Sequence, residues 1–233
     1  MKKSIYSTVM VIVLILAAVT VSGQSKETRN VRGFTKVNFG VAGELFINIG
    51  PEFRLVIEGD RNVIDDIETT VSGGRLNIRK ENWRMSFKNE RITVHLTMPE
   101  IESLGVSGSG RAEIMDRVEA DRLNLGVSGS GKLITAGLSA DNLDCGISGS
   151  GDIVLGSGGS IDNADISISG SGRFSGEETE IDHLDVSVSG SGNCYCKVGD
   201  SLDASISGSG NVTYTGNPRV NARVSGSGHV RSK

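Results

Sequence analysis

Cysteine, histidine and a file of acidic residues are the side chains of this sequence best suited to chemistry. Cys145, Cys194 and Cys196 make three thiols, an odd count where a disulfide framework pairs them, and a zinc site asks for four ligands at tetrahedral spacing. Each sits where matching stretches of the chain carry Val, Leu, Ile, Ala or Phe, which predicts buried core thiols. His95, His183 and His229 are scattered, and none pairs visibly with the Ser–Asp constellation a nucleophilic triad needs. The acids are more orderly. Ser103, Asn124, Asp144, Asp165, Asp185, Asp203 and Asn221 recur at intervals of 18 to 21 residues. A file of this kind can gather cations such as Ca²⁺, and Asp165 with Asp185 could face one sugar ring as paired carboxylates.

That interval belongs to a repeat. Ser-Gly-Ser-Gly begins at Ser107, Ser128, Ser148, Ser169, Ser189, Ser207 and Ser225, and a fixed period of this size marks a stacked array whose units bury their apolar sides only against neighbours. The residues ahead of each copy alternate, as in Leu184-Asp185-Val186-Ser187-Val188-Ser189, which is a strand with one buried face. Continued through the tetrapeptide, the alternation aims both glycines inward and both serines outward, and two glycines at core positions point to a bend where backbones come too close for a side chain. Each copy spans roughly 60–70 Å of extended chain, enough for one circuit of short strands. The sequence therefore predicts an all-β parallel solenoid of seven Ser-Gly-Ser-Gly coils.

Stacking turns outward positions into columns about 4.8 Å apart. Neighbouring aspartates at that spacing repel by about 0.9 kcal/mol per pair even in water. A row of Ca²⁺ ions would offset this; alternatively the Asp and Asn side chains bond turn backbone and hold the corners. The Gly-Gly-x-Gly-x-Asp pattern of calcium-binding solenoids is absent. A further file, Arg111, Lys132, Asp152, Arg173, Asn193, Asn211 and His229, has the mixed character of a solvated face. Ser-Gly-Ser-Gly is not a phosphate loop, because a strand and not a helix follows each copy.

The rest of the chain divides simply. Residues 1–23 have a basic start and an apolar run, Ile5 to Val21, ending in Val21-Ser22-Gly23, the pattern of a cleaved signal peptide. Residues 24–29 read as a mature N-terminal tail. Cleavage leaves 22 basic against 28 acidic residues, a net charge of −6, which supplies no basic field for nucleic acid or anionic lipid. Residues 30–99 carry strand patterns over 34–39, 44–49, 54–58, 75–79 and 91–98 and are expected to form a cap and first coils, continuous with the repeat solenoid of residues 100–233. Asn217-Pro218 and the polar tail from His229 are expected to close the other end. The one long irregular stretch, residues 81–89, gathers the sole Trp, Trp83, with Arg84 and Phe87. An aromatic ring beside cations grips sugars or acidic polymers; the reading to set against it is that Trp83 and Phe87 plug the end of the core, since a cap needs large apolar residues.

Gly33-Phe34-Thr35-Lys36-Val37, the alternating strands before each Ser-Gly-Ser-Gly, and Gly216-Asn217-Pro218 followed by Val224-Ser225-Gly226-Ser227-Gly228 resemble the head GIN domain family. These are secreted proteins of Bacteroides-like bacteria labelled as autotransporter adhesins. The resemblance implies a right-handed, single-stranded β-helix of the pectate-lyase type, and it transfers no activity and no site residue. The sequence shows no amphipathic β-barrel segments after the solenoid, a departure from autotransporters, so self-secretion through an outer membrane is not expected. The expectation is a secreted or cell-envelope binding module, non-catalytic, without membrane insertion after signal cleavage. Its partner would be a polysaccharide or other cell-surface component, met by Trp83, Arg84 and Phe87 or by Asp144, Asp165, Asp185 and Asp203. The alternatives are a structural envelope module without a ligand and a Ca²⁺-assisted polysaccharide lyase or hydrolase.

Overall fold

A computed structural model describes residues 25–80 and 92–233. The expected signal peptide and the stretch containing Trp83, Arg84 and Phe87 lie outside the described residues. The N-terminal region supplies β1 (Ser25–Arg29), β2 (Lys36–Gly40), β3 (Glu44–Ile49), β4 (Arg54–Gly59), the one-turn helix α1 (Arg61–Ile64), β5 (Ile67–Ser72), β6 (Arg75–Lys80) and β7 (Thr93–Met98). The repeats supply β8 (Ser103–Gly108), β9 (Arg111–Gly129), β10 (Lys132–Gly149), β11 (Asp152–Leu155), β12 (Ser160–Gly170), β13 (Arg173–Gly190), β14 (Asn193–Gly208), β15 (Asn211–Gly216), β16 (Arg219–Gly226) and β17 (His229–Ser232).

These strands wind into a β-solenoid. β9 shows how: residues 111–114 pair in parallel with β3, and residues 124–129 pair with β8. One continuous strand therefore runs from one long face to the other, with a register shift in its pairing to β10 between Thr135 and Gly137 on the way. The first face stacks β5, β6, β2, β8 and the later parts of β9, β10, β12, β13, β14 and β16. The second face runs from β1 through β4, β7 and β3 to β17. Register follows the repeat: Gly108, Gly129, Gly149, Gly170, Gly190, Gly208 and Gly226 are successive partners. Coils shorten toward the C-terminus at a third, narrow side. Gly176 pairs with Cys196 and Glu180 with Lys197, so residues 177–179 have no counterpart in the next coil.

Alternation puts Leu184, Val186 and Val188 in the core, each at most 2% exposed, and Asp185 and Ser187 outside. Cys145, Cys194 and Cys196 are likewise buried and free. Burial pushes the Cys145 thiol well above its ordinary value, and at Cys194 contact with Cys196 acts with burial in the same direction. Thiols so disfavoured as thiolates behave as small apolar residues.

The two glycines of each tetrapeptide do different jobs, which corrects the expectation that both point inward. Gly170, the first of its pair, has φ +121°, and a Cβ there would lie 2.4 Å from the Gly149 carbonyl oxygen, one coil back. That oxygen accepts a hydrogen bond from the Ser171 N–H at 2.8 Å. The coil-to-coil bond and the missing side chain share one space. Gly172, the second, is buried, and its Cβ would meet Ile147 Cγ2 at 2.4 Å and the Gly151 oxygen at 2.5 Å. Its hydrogen is what lets the core side chain of a neighbouring coil fill the bend.

The N-terminal region departs from simple winding. β2 and β3 form one layer, stacked directly on β8 and β9. The chain then moves away, builds β4, α1, β5, β6 and β7 beyond that layer, and returns across it to β8. Three pairings here are antiparallel, β1–β4, β4–β7 and β5–β6. Val63 and Ile64 of α1 are buried with the core at this end. Residues 25–29, read from sequence as a tail, form a strand, tied in part by the Lys26 Nζ to Glu58 Oε1 contact of 2.6 Å. The C-terminal end is not closed as expected: all eight residues of β16 are exposed.

Candidate functional site

The first face presents its outward side chains in parallel columns. Asp144, Asp165, Asp185 and Asp203 are consecutive partners, preceded by Ser103 and Asn124 and followed by Asn221. Structure extends this file where sequence could not, since Ser103 pairs with Lys36 and Lys36 with Arg75. The column thus runs from cationic at the N-terminal end to anionic further on. Two residues before the aspartates stands a second column, Arg122, Asn142, Asn163, His183, Ser201 and Arg219.

Amides tie these columns together. Asn124, Asn142 and Asn163 donate from Nδ2 to the carbonyls of Glu102, Asp121 and Asp141 at 3.4, 3.4 and 3.2 Å, each one coil away. Asn221 donates to Asp203 at 2.6 Å. Beyond the backbone ladder, the carboxylates of Asp144, Asp165 and Asp185 make no hydrogen bond or ion pair to another described residue. Partial burial, then the charges of Asp185 and Asp144, hold the Asp165 carboxyl above the ordinary carboxylate range. Among the described residues no three His, Cys, Asp or Glu side chains form a group able to hold a metal ion. The physical reason is the stacking itself, which strings the carboxylates along a line instead of around a point.

One pairing the sequence did not show is His183 Nδ1 with Ser201 Oγ at 3.0 Å. It is an exposed cross-coil contact, and no carboxylate is bonded to the ring on the described face to orient it as a general base.

Beside the aspartates lies a column that sequence reading overlooked. Gly105, Gly126 and Gly146 are partners, and the later coils carry Ser167, Ser187 and Ser205 in the same place. At Gly126 and Gly146 nothing lies within 4 Å of where a Cβ would stand. Gly126 and Gly146 are not packed against anything and leave a trough open, while a Cβ at Gly105 would meet Asn38 Oδ1 at 3.2 Å. A concavity of about 410 Å³ has the three glycines as its floor and Ser107, Ser128, Ser148 and Ser169 as its far wall. An adjoining one of about 390 Å³ continues over the same glycines to Asn124, Asp144, Asp165 and Arg75. The signal was present in Leu-Gly-Val, Leu-Gly-Val and Cys-Gly-Ile against Ile-Ser-Ile and Val-Ser-Val. Only register turns three separate glycines into one floor.

A larger concavity, about 580 Å³, lies on the second face toward the C-terminus. Arg173, Tyr195, Thr213 and Arg231 line it, with Lys233 paired to Glu177 at 2.9 Å. Tyr195 stands in its column between the short Ser175 and Thr213.

The family model described as "Putative auto-transporter adhesin, head GIN domain" matches residues 33–218. The chain belongs to this family. A "putative adhesin" of Bacteroides fragilis superposes on this head GIN domain with a TM-score of 0.83 at 23% identity, over 91% of this chain and 97% of that one. A "putative lipid binding protein" of Parabacteroides distasonis gives 0.73 at 22% identity, over 90% and 96%. An adhesin so labelled from Parabacteroides merdae gives 0.71 at 22% identity, over 90% and 96%. At these identities the likeness shows the fold. A search of curated proteins finds no match. Among the described residues no helix is long and apolar enough to cross a membrane.

Proposed function

We propose that this head GIN domain is an exported, non-catalytic binding module that holds an extended polysaccharide along the trough of its first face. The carrying observation is the floor of Gly105, Gly126 and Gly146, walled by the Asp and Asn column on one side and the serine column on the other. Hydrogen-bonding groups recur there at the strand spacing of about 4.8 Å, comparable to the advance of one ring along an extended sugar chain. The family label of adhesin supports a place outside the cell or on its surface. The basic concavity around Tyr195 favours a second reading, in which an acidic polymer meets Arg173 and Arg231 and the ring supplies contact area.

Co-sedimentation with a panel of insoluble neutral and acidic polysaccharides tests both, with supernatants assayed for released fragments. Retention on a neutral polymer, lost in Gly126→Leu and kept in Arg231→Ala, supports the trough. The opposite pattern moves the site to Tyr195. Release of fragments, or no retention at all, overturns the binding-module reading.

A further inference from the structure

The two ends of the solenoid are built differently, and the difference bears on partners. β16 and β17 each have a strand on one side only, β14 and β15 respectively. Val220 and Val224 pair with Leu202 and Ile206, which are 0% and 2% exposed, yet they are themselves 41% and 43% exposed. They occupy core positions with no coil over them, and Ala222 between them is exposed as well. An apolar layer above a row of unpaired backbone groups invites another strand. Natural edges are blunted by proline, by charged side chains and lysine above all, or by a bulge; residues 219–226 contain no proline or lysine and pair without a register shift, and their two charges, Arg219 and Arg223, stand on the outward side of the strand. The N-terminal end is treated the other way, with antiparallel strands, the charged β1 and the buried Val63 and Ile64 of α1.

We infer that a second copy of this chain covers the C-terminal end, β16 pairing antiparallel with β16 about a two-fold axis through Ala222. The sequence of β16 selects that register. Centred on Ala222, Val220 lies opposite the partner's Val224, Asn221 opposite the partner's Arg223, and Arg219 opposite the partner's Ser225. Moving the axis to Asn221 sets Arg219 against Arg223, and moving it to Arg223 sets that arginine against itself. Like charges directly opposite are destabilising. Larger shifts carry Val220 or Val224 past the end of β16. The chosen register also brings Arg223, which stands where earlier coils carry Gly or Ser, beside the partner's Asn221. Asn221 is itself bonded to Asp203, so a cation meets the end of each aspartate file. A two-fold pairing of β16 uses the same surface on both copies, so this contact closes on itself at a dimer and does not propagate into a filament.

Sedimentation velocity on the protein as matured by the expressing cell reads the outcome. A dimer is expected, and Val220→Asp or Val224→Asp should each weaken it about 30-fold or more. Both sites are exposed in the single chain, so its thermal unfolding should change little. Ala222→Cys places two thiols on the axis and should give a disulfide-linked dimer under mild oxidation, while Ser148→Cys, on the trough wall, should not. The native thiols are buried and do not interfere. A monomer at about 100 μM, roughly a hundredfold above a micromolar Kd, would overturn the inference. So would assemblies larger than two, a dimer indifferent to both Asp variants, or a dimer that Ala222→Cys fails to link.

Discussion

The repeat coils and the N-terminal layers bury the same kind of apolar core by opposite means. In the repeats the bend is made by removing side chains, and backbone of one coil lies where a Cβ of the next would be. In the N-terminal layers large side chains do the filling. Phe39 is fully buried, and its ring would lie 2.8 Å from a Cβ built on Gly110. The two regimes meet at that contact. A repeating stack succeeds with small residues because every coil supplies the same shape to its neighbour. An end layer has no such neighbour and must close with bulk, antiparallel strands and a helix turn.

Several substitutions would break or sharpen this contrast. The largest effect is expected at Gly172, where valine would collide with backbone as well as with Ile147. Gly172→Val should cost about 5 kcal/mol and abolish a single cooperative melt followed by circular dichroism. A mild effect there would mean that the coils can spread. Phe39→Ala leaves a cavity in the N-terminal layer and should cost about 4 kcal/mol in urea unfolding. If it proved neutral, bulk would not be what closes that end.

Smaller effects probe polar groups. Thr135 is fully buried, and its Oγ1 has no hydrogen-bond partner among the described residues. Its neighbours in register are Ile114 and Leu155. Thr135→Val should therefore stabilise the protein by about 1 kcal/mol; a loss of stability would reveal a partner for the hydroxyl. Asp165 has its carboxyl raised in the folded state, so the folded chain binds more protons than the unfolded chain between the ordinary and the raised value. Stability from this group falls as pH rises through that window. Asp165→Asn should raise the melting temperature at pH 7, and the gain should vanish in acid where the carboxyl is protonated in both states. A gain that persists in acid would point to a cause other than charge. Least of all, Gly126→Ala should change stability by no more than about 0.5 kcal/mol, since a methyl group there meets open space. That near-neutrality would separate the trough glycines from the tetrapeptide glycines, whose replacement is expected to be severe.

Much of the molecule was legible because a repeat of 18 to 21 residues allows few solutions. The period required stacking, the alternation chose the buried face, and both followed from local chemistry of Leu, Val and Ile against Asp and Ser. The column of aspartates and the burial of Cys145, Cys194 and Cys196 could be placed from the same two facts. β5 escaped notice, since Ile67-Glu-Thr-Thr-Val-Ser lacks clean alternation and lies at an edge where only one neighbour constrains it.

Periodicity, then, was determined by the sequence itself: the strand direction, the inward and outward sets, and the family to which they belong. Tertiary structure alone decided what depends on non-repeating contacts. The return of the chain across the β2–β3 layer, the joining of Arg75 and Lys36 to the aspartate file, and the open β16 edge are of this kind. Local pattern fixes which way a side chain points relative to its own strand. Which strand comes to lie beside it is set by the global packing of a core, and where the repeat stops the pattern carries no information about its neighbour.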